Sequence, residues 1–312
     1  MTAFSVEVED LVKRYRGADA NAVDGISFRV RAGDFFTLLG PNGAGKTTTI
    51  SILTTTLAPT SGTARIAGRD VRTEASAVRS VVGIIFQKPS LDQNLTAEEN
   101  VRFHAVLYGL HAFRPSYALM PKEYRDRVAM LAELLGLGRQ MFRPVKTFSG
   151  GMKRKLEIVR SLMHEPRVLF LDEPTAGLDA ASRRTLWEYL RQVRAERGTT
   201  VFLTTHYLDE AEEADTVCII DKGRIVALGS PADVKAKLTA QYLLLDAADR
   251  ARLRDELHRR GIRFTETPLF RIDVEERGAH ALLRSIETPL TAVRTHAPSL
   301  EDAYLEIVGR TE

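Results

Sequence analysis

The stretch GPNGAGKT, residues 40 to 47, constrains this chain more than any other. It follows the strand-like run FFTLL and precedes the helical pattern TTTISILTTTL, the order in which a glycine-rich P-loop receives phosphate. Gly40, Gly43 and Gly45 let the backbone N–H groups curl around phosphate oxygens, with Pro41, Asn42 and Ala44 between them. Lys46 reaches the β- and γ-phosphates, the Thr47 hydroxyl is a ligand for Mg²⁺, and Thr48 belongs to the same phosphate-facing turn. At average residue frequencies the pattern arises by accident in about one chain in a hundred of this length. The strand before it and the helix after it leave little room for an ordinary glycine turn.

A strand, a loop and a helix in that order are a piece of a parallel α/β sheet, and the chain supplies the other strands. Apolar runs such as VVGIIFQ, RVLFLDE and TTVFLTTH alternate with helical patterns, whereas before Gly40 the runs SVEVEDL and ISFRV predict an antiparallel element. Between Lys88 and Arg160 strand signals vanish. Thr96 and Glu99 stand at capping-box spacing and RDRVAMLAELLGLG puts apolar residues on one helical face, so residues 88 to 160 read as an inserted helical subdomain. TVCIIDKGRIVALG reads as a hairpin turning at Lys222 and Gly223, and Ser230 with Pro231 starts a helix. The expected fold is therefore α/β: a P-loop NTPase core over residues 1–238, with an antiparallel β subdomain and the helical insert. Residues 239–312 alternate strand and helix enough for a small C-terminal α+β appendage.

A phosphate loop needs a partner site for the metal and the nucleophile. VLFLDEP supplies it: Asp172 holds Mg²⁺, through water, and Glu173 orients and deprotonates the attacking water, which favours hydrolysis over transfer. Taken alone, an acidic pair after a strand is usually a solvated turn. Gln87 and His206 each end an apolar run, which puts them at the carboxyl edge of a parallel sheet. Gln87 is placed to reach Mg²⁺ or the water, and His206 to touch the γ-phosphate or fix the geometry of Glu173. Tyr15 offers a ring for stacking on adenine, with plain packing as the alternative. Finally, TFSGGMKRK puts a hydroxyl and two glycines before a basic, helix-like run, a second helix start built to receive an anion. The basic run itself reads as a solvated helix face.

Composition excludes more than it assigns. With 44 basic against 41 acidic residues, the net charge of +3 is too balanced to imply a nucleic-acid surface. Cys218, the only cysteine, lies in the apolar run TVCII and reads as a buried thiol in a reducing compartment. No secretion signal and no stretch of about 18 apolar residues is present.

In their order and spacing, GPNGAGKT, Gln87, FSGGM, VLFLDEP, AGLD and His206 resemble the nucleotide-binding subunit of ABC transporters, over about residues 4 to 230. The resemblance implies an ATPase that works as a head-to-tail dimer, a homodimer or a pair with a related ATPase subunit. Each ATP, with Mg²⁺, is then held between one subunit's P-loop and the other's signature. Ser149, Gly150 and Gly151 bind the γ-phosphate of the partner's ATP, and Asp179 lies across the same interface. SGGMKRKLEI is similar to the signature of the daunorubicin and drug-resistance exporter ATPases, and PSLEDAYLEIVG resembles their tail. Phe148 and Met152 stand where the family usually has Leu and Gln, which removes one side-chain contact and keeps the backbone donors.

What the resemblance implies further is a peripheral protein at the cytoplasmic face of the cell membrane, driving export through separate integral membrane permease subunits. The alternative, a non-transport ABC ATPase acting on nucleic acid or ribosomes, predicts two cassettes or a long coiled coil, and the sequence has one P-loop and no sustained heptads. A P-loop kinase or GTPase leaves the signature unexplained. The segment HAFRPSYALMPKEYRD, residues 111 to 126, is longer than expected and reads as a tolerated surface loop, with contact to the membrane partner as the alternative.

Overall fold

The alternating runs before Gly40 form β1 (Phe4–Lys13) and β2 (Val23–Arg31), paired antiparallel, while the next run, β3 (Phe35–Leu39), leaves for another sheet. On its other side β1 pairs with β4 (Ser61–Ile66), which turns back into β5 (Arg69–Asp70). The chain is described here from a computed structural model, for residues 3–86, 90–175, 178–238, 242–274, 278–296, 299–301 and 304.

β3 is the centre of a six-stranded sheet. Its partners are β6 (Val82–Ile85), β7 (Val168–Asp172), β8 (Thr200–Thr205), β9 (Thr216–Asp221) and β10 (Arg224–Gly229), in the order β10-β9-β3-β8-β7-β6. The pairs β3–β9, β3–β8, β8–β7 and β7–β6 are parallel. Every residue of β3, β7 and β8 is buried, as covered parallel strands require, and this is why those runs carry no polar alternation. The antiparallel layer packs on this sheet through Phe28, which stacks on Phe36 at 5.1 Å, and Phe36 in turn meets Phe202. Truncating Phe202 to Ala, at the centre of that cluster, would cost about 3–5 kcal/mol. Cys218 lies fully buried in the same core. β9 and β10 close as the expected hairpin, with both turn residues, Lys222 and Gly223, at positive φ.

The helical elements follow the β1-to-β10 order. α1 (Lys46–Leu53) leaves the P-loop, and α2 (Ala75–Arg79) precedes β6. Between β6 and β7 lie α3 (Ala97–Leu107), α4 (Lys122–Leu134) and α5 (Gly150–Leu162), which are the inserted helical block. α3 starts with the predicted capping box: the Thr96 hydroxyl accepts from the Glu99 N–H at 3.2 Å, and the Glu99 carboxylate accepts from the Thr96 N–H at 2.8 Å. α6 (Ala180–Arg197) and α7 (Leu208–Glu212) follow β7 and β8.

The segment 111–126 is more than the tolerated loop expected of it. Met120 and Tyr124 are buried, the Tyr124 hydroxyl donates to Glu98 at 3.0 Å, and the buried Arg102 donates to the Arg114 carbonyl at 2.7 Å. Burial raises the Glu98 carboxyl above its usual range, against the pull of Arg102 at 3.2 Å. Hydrogen-bonded polar groups inside the block hold this segment in place, and periodicity could not show them.

The chain divides into two compact units, Met1–Leu228 and Gly229–Glu312. The division falls ahead of the 238/239 boundary read from the sequence, because α8 (Pro231–Leu238), with Ser230 as its cap, groups by contact with the second unit. The second unit runs β11 (Tyr242–Ala247), α9 (Arg250–Arg259), β12 (Thr265–Thr267), β13 (Leu269–Asp273), α10 (Gly278–Ser285) and β14 (Leu290–His296). Its sheet, ordered β12-β13-β11-β14 with antiparallel neighbours, is the split βαβ arrangement. Leu243, Leu245, Leu253, Leu257, Phe270 and Ile272 form its own core. The strands β12 and β14 went unread in the sequence, for TET is short and polar and LTAVRTH breaks its apolar positions with Thr, Arg and His.

Candidate nucleotide site

Three neighbouring strands bring the predicted chemistry to one edge. Parallel pairing sets Leu39 of β3 beside Thr205 of β8, and Thr204 beside Asp172 of β7. Gly40, His206 and Glu173 are each the first residue beyond a strand, so all three stand at the carboxyl edge of adjacent strands. β6 comes next and ends two residues before Gln87, which itself lies outside the described residues.

The P-loop glycines are required for two separate reasons. A Cβ on Gly40 would sit 2.3 Å from the Ile220 carbonyl, and one on Gly45, at φ 105°, would sit 2.4 Å from that of Ala22. Gly43 also needs positive φ, but space around it is open. Lys46 is 6% exposed, and its ammonium donates to the carbonyls of Gly40 at 2.7 Å and Pro41 at 3.1 Å, which braces the loop from inside. Burial lowers the Lys46 pKa, while the Glu173 and Asp172 carboxylates pull it back up.

Together Pro41, Asn42, Gly43, Gly45, Lys46, Thr47, Thr48 and Ala22 line a cleft of about 170 Å³ whose far wall is Glu173. The Glu173 carboxylate meets His206 Nδ1 at 3.0 Å, the side of the ring that fixes its orientation. Asp172 is buried, accepts a hydrogen bond from the Thr204 hydroxyl, and has its carboxyl raised by desolvation. Thr47 and Asp172 are hard oxygen donors on facing elements, a set that suits Mg²⁺. Tyr15, half exposed, places its hydroxyl 3.2 Å from that of Thr48, so its ring borders the P-loop helix.

The signature residues stand apart from this cleft. Ser149 caps α5 and accepts from the Met152 N–H at 3.2 Å, and Gly150 and Gly151 form the first helical positions. Ser149 and Gly150 are exposed; a Cβ on Gly150 would meet nothing within 4 Å and one on Gly151 only the Leu178 side chain at 3.7 Å. None of them lines the P-loop cleft. Asp179 caps α6, accepting from the Ser182 N–H at 2.9 Å and from its hydroxyl at 2.7 Å, bonds that hold its carboxyl below the usual range.

Sequence reasoning missed the supports. Arg154, in the basic run read as a solvated face, is 4% exposed and makes five hydrogen bonds, four of them to backbone carbonyls near the site. Its signal was Glu157 three residues on, a carboxylate among apolar residues on one helical face. Glu210 was also missed: buried, it accepts from the hydroxyls of Thr175 and Thr205 and so ties the loop after Glu173 to the end of β8, next to His206.

The arrangement is a phosphate cradle facing a carboxylate oriented by an imidazole, the parts needed to bind a nucleoside triphosphate and hydrolyse it. Similarity to known proteins agrees. Residues 23–176 match the family model described as ABC transporter. The chain is 40% identical to the daunorubicin/doxorubicin resistance ATP-binding protein DrrA of Streptomyces peucetius, across 98% of this chain and 92% of that one. It is 36% identical to the Nod factor export ATP-binding protein I of Paraburkholderia xenovorans (strain LB400), across 99% of each. Among solved structures, an ATP binding subunit of an ABC transporter superposes with a TM-score of 0.66 at 33% identity, across 74% of this chain and 92% of that one. The chain belongs to the ABC transporter family as an ATP-binding subunit, an ATPase built on the P-loop fold.

Proposed function

We propose that two such subunits, copies of this chain or this chain and a related ATPase subunit, close head to tail around ATP and Mg²⁺ and drive export through separate integral membrane subunits. The observation that carries this reading is the separation of the two anion-binding helix starts. The P-loop cleft of about 170 Å³ is smaller than the roughly 300 Å³ of a complete small-molecule site, and Ser149 and Gly150 lie exposed elsewhere. A partner's signature supplies the missing wall.

In the closed site Lys46 and the loop N–H groups hold the phosphates, Thr47, Asp172 and Gln87 hold Mg²⁺, and Tyr15 stacks on adenine. Glu173 takes the proton of the attacking water, and His206 fixes its carboxylate. Mg²⁺ supplies charge neutralisation on the phosphates. Ser149, Gly150, Gly151 and Asp179 serve the partner's ATP. Binding favours the closed dimer and hydrolysis releases it, which moves the membrane subunits. Among the described residues no helix is long and apolar enough to cross a membrane, which fits a protein held peripherally at the cytoplasmic face by its permease. The relatives' names are those of drug-resistance and export proteins, which favours transport over action on nucleic acid or ribosomes. The C-terminal unit carries no phosphate loop and stays outside the ATP chemistry.

Mixed dimers test the shared site. Lys46→Ala in one copy and Gly151→Asp in the other gather both lesions into one site and leave the second whole. In a Glu173→Gln background, purified mixed dimers should trap ATP well above either mutant homodimer. Trapping no higher than the homodimers would sink the trans reading.

A further inference from the structure

We propose that Arg154 is a positioning residue for hydrolysis: from inside the signature helix it holds the backbone on which the Glu173 carboxylate is mounted. The inference rests on Glu173 acting as the base.

Glu173 has φ 47°, in the left-handed region that a side chain with a Cβ rarely adopts. Such a conformation persists only where the surroundings hold it. Its N–H donates to the Thr204 carbonyl at 3.0 Å, which secures one side. The other side is secured by Arg154. Nη2 donates to the carbonyls of Asp172 at 3.0 Å and Glu173 at 3.1 Å, and Nε donates to that of Pro174 at 2.9 Å. Three successive carbonyls converge on one guanidinium, an arrangement in which their dipoles repel unless a cation sits between them.

Nη1 uses its two hydrogens on the Phe86 carbonyl and on Glu157 Oε2, the latter at 3.2 Å. All five N–H groups of the side chain are therefore engaged. Glu157, 1% exposed, also accepts from the Ser90 N–H at 2.9 Å, and Arg160 donates to the Ser90 carbonyl at 2.7 Å. α5 thus grips the residue before Gln87, a residue shortly after it, and the strand end bearing Asp172 and Glu173. The same helix carries Ser149 and Gly150 at its start, so one rigid element joins the base of one site to the segment serving the other.

An ammonium has three donors, so Arg154→Lys keeps the charge and loses at least two of the five bonds. Arg154→Gln removes the charge and serves as the second variant, the one that melts closest to the parent being used. The expected result is a kcat lowered about tenfold or more with equilibrium ATP affinity unchanged, since the P-loop is untouched. In a Glu173→Gln parent the same substitution should lower the residual kcat no further, because it acts through the carboxylate already removed. Parental kcat in the folded variant would overturn the inference, and so would an equal fall in both parents. Near-normal turnover of Glu173→Gln alone would instead overturn the base reading, and this inference with it.

Discussion

Two helix starts in this protein are built from the same parts and differ in how they are enclosed. α1 begins after Gly45 with Lys46 and Thr47; α5 begins after Ser149 with two glycines. At α1 Gly40 and Gly45 are forced by carbonyls that a Cβ would meet within 2.4 Å, the lysine is buried, and the Glu173 carboxylate closes the cleft. At α5 the hydroxyl serves its own helix and nothing lies above Gly150. An anion site is made by what surrounds exposed N–H groups as much as by the N–H groups themselves. The enclosed start has a cleft of its own within one protomer, and the open one has open space above it.

The largest effect is expected at the wall of the enclosed site. Glu173→Gln should lower kcat about 100- to 1,000-fold while ATP affinity holds, as removal of a general base does. Phosphate release and equilibrium binding measured together check this, and turnover near that of the parent would remove Glu173 from the role. Next comes Lys46→Ala, which deletes the charge facing the phosphates and should weaken ATP binding to a single protomer about 10- to 100-fold. Ser149→Ala should leave that protomer affinity unchanged. Calorimetric titration separates the two, and a loss of protomer affinity in Ser149→Ala would mean that the open start serves its own subunit.

Stability gives the finer contrast. Gly45→Ala must place a Cβ 2.4 Å from the Ala22 carbonyl at φ 105° and should cost about 1–3 kcal/mol or more. Gly150→Ala has open space and should change stability by less than about 0.5 kcal/mol. Urea unfolding of both variants reads the difference, and equal losses would show the open start to be packed in solution. Between these two falls Ser149→Ala, which loses the N-cap bond to Met152 and about 1 kcal/mol.

How far these features were legible depended on how local they are. The P-loop is a contiguous strand, loop and helix, so its glycine spacing carried both conformation and chemistry. The capping box at Thr96 and the turn at Lys222 and Gly223 were legible for the same reason, being set within four residues. The block of 111–126 was misjudged because Tyr124 is held by Glu98, 26 residues away. Arg154 was misjudged because its acceptors, Phe86 and Asp172 to Pro174, lie 18 to 68 positions from it. A basic run on a helix looks solvated unless those carbonyls are seen.

The residues alone singled out Lys46, Asp172, Glu173 and His206 as candidates, since each sits at the end of an apolar run or in a loop of recognisable spacing. Their gathering at one edge of the sheet was the work of the tertiary structure. The strand order β3-β8-β7 sets residues 40, 206 and 173 side by side, although more than 100 positions separate the first from the other two. It decided as well that Glu173 adopts a left-handed backbone, held by Thr204 on one side and Arg154 on the other. Sequence patterns report the faces and ends of single elements, whereas this geometry comes from carbonyls and side chains of several elements meeting at one edge of the sheet.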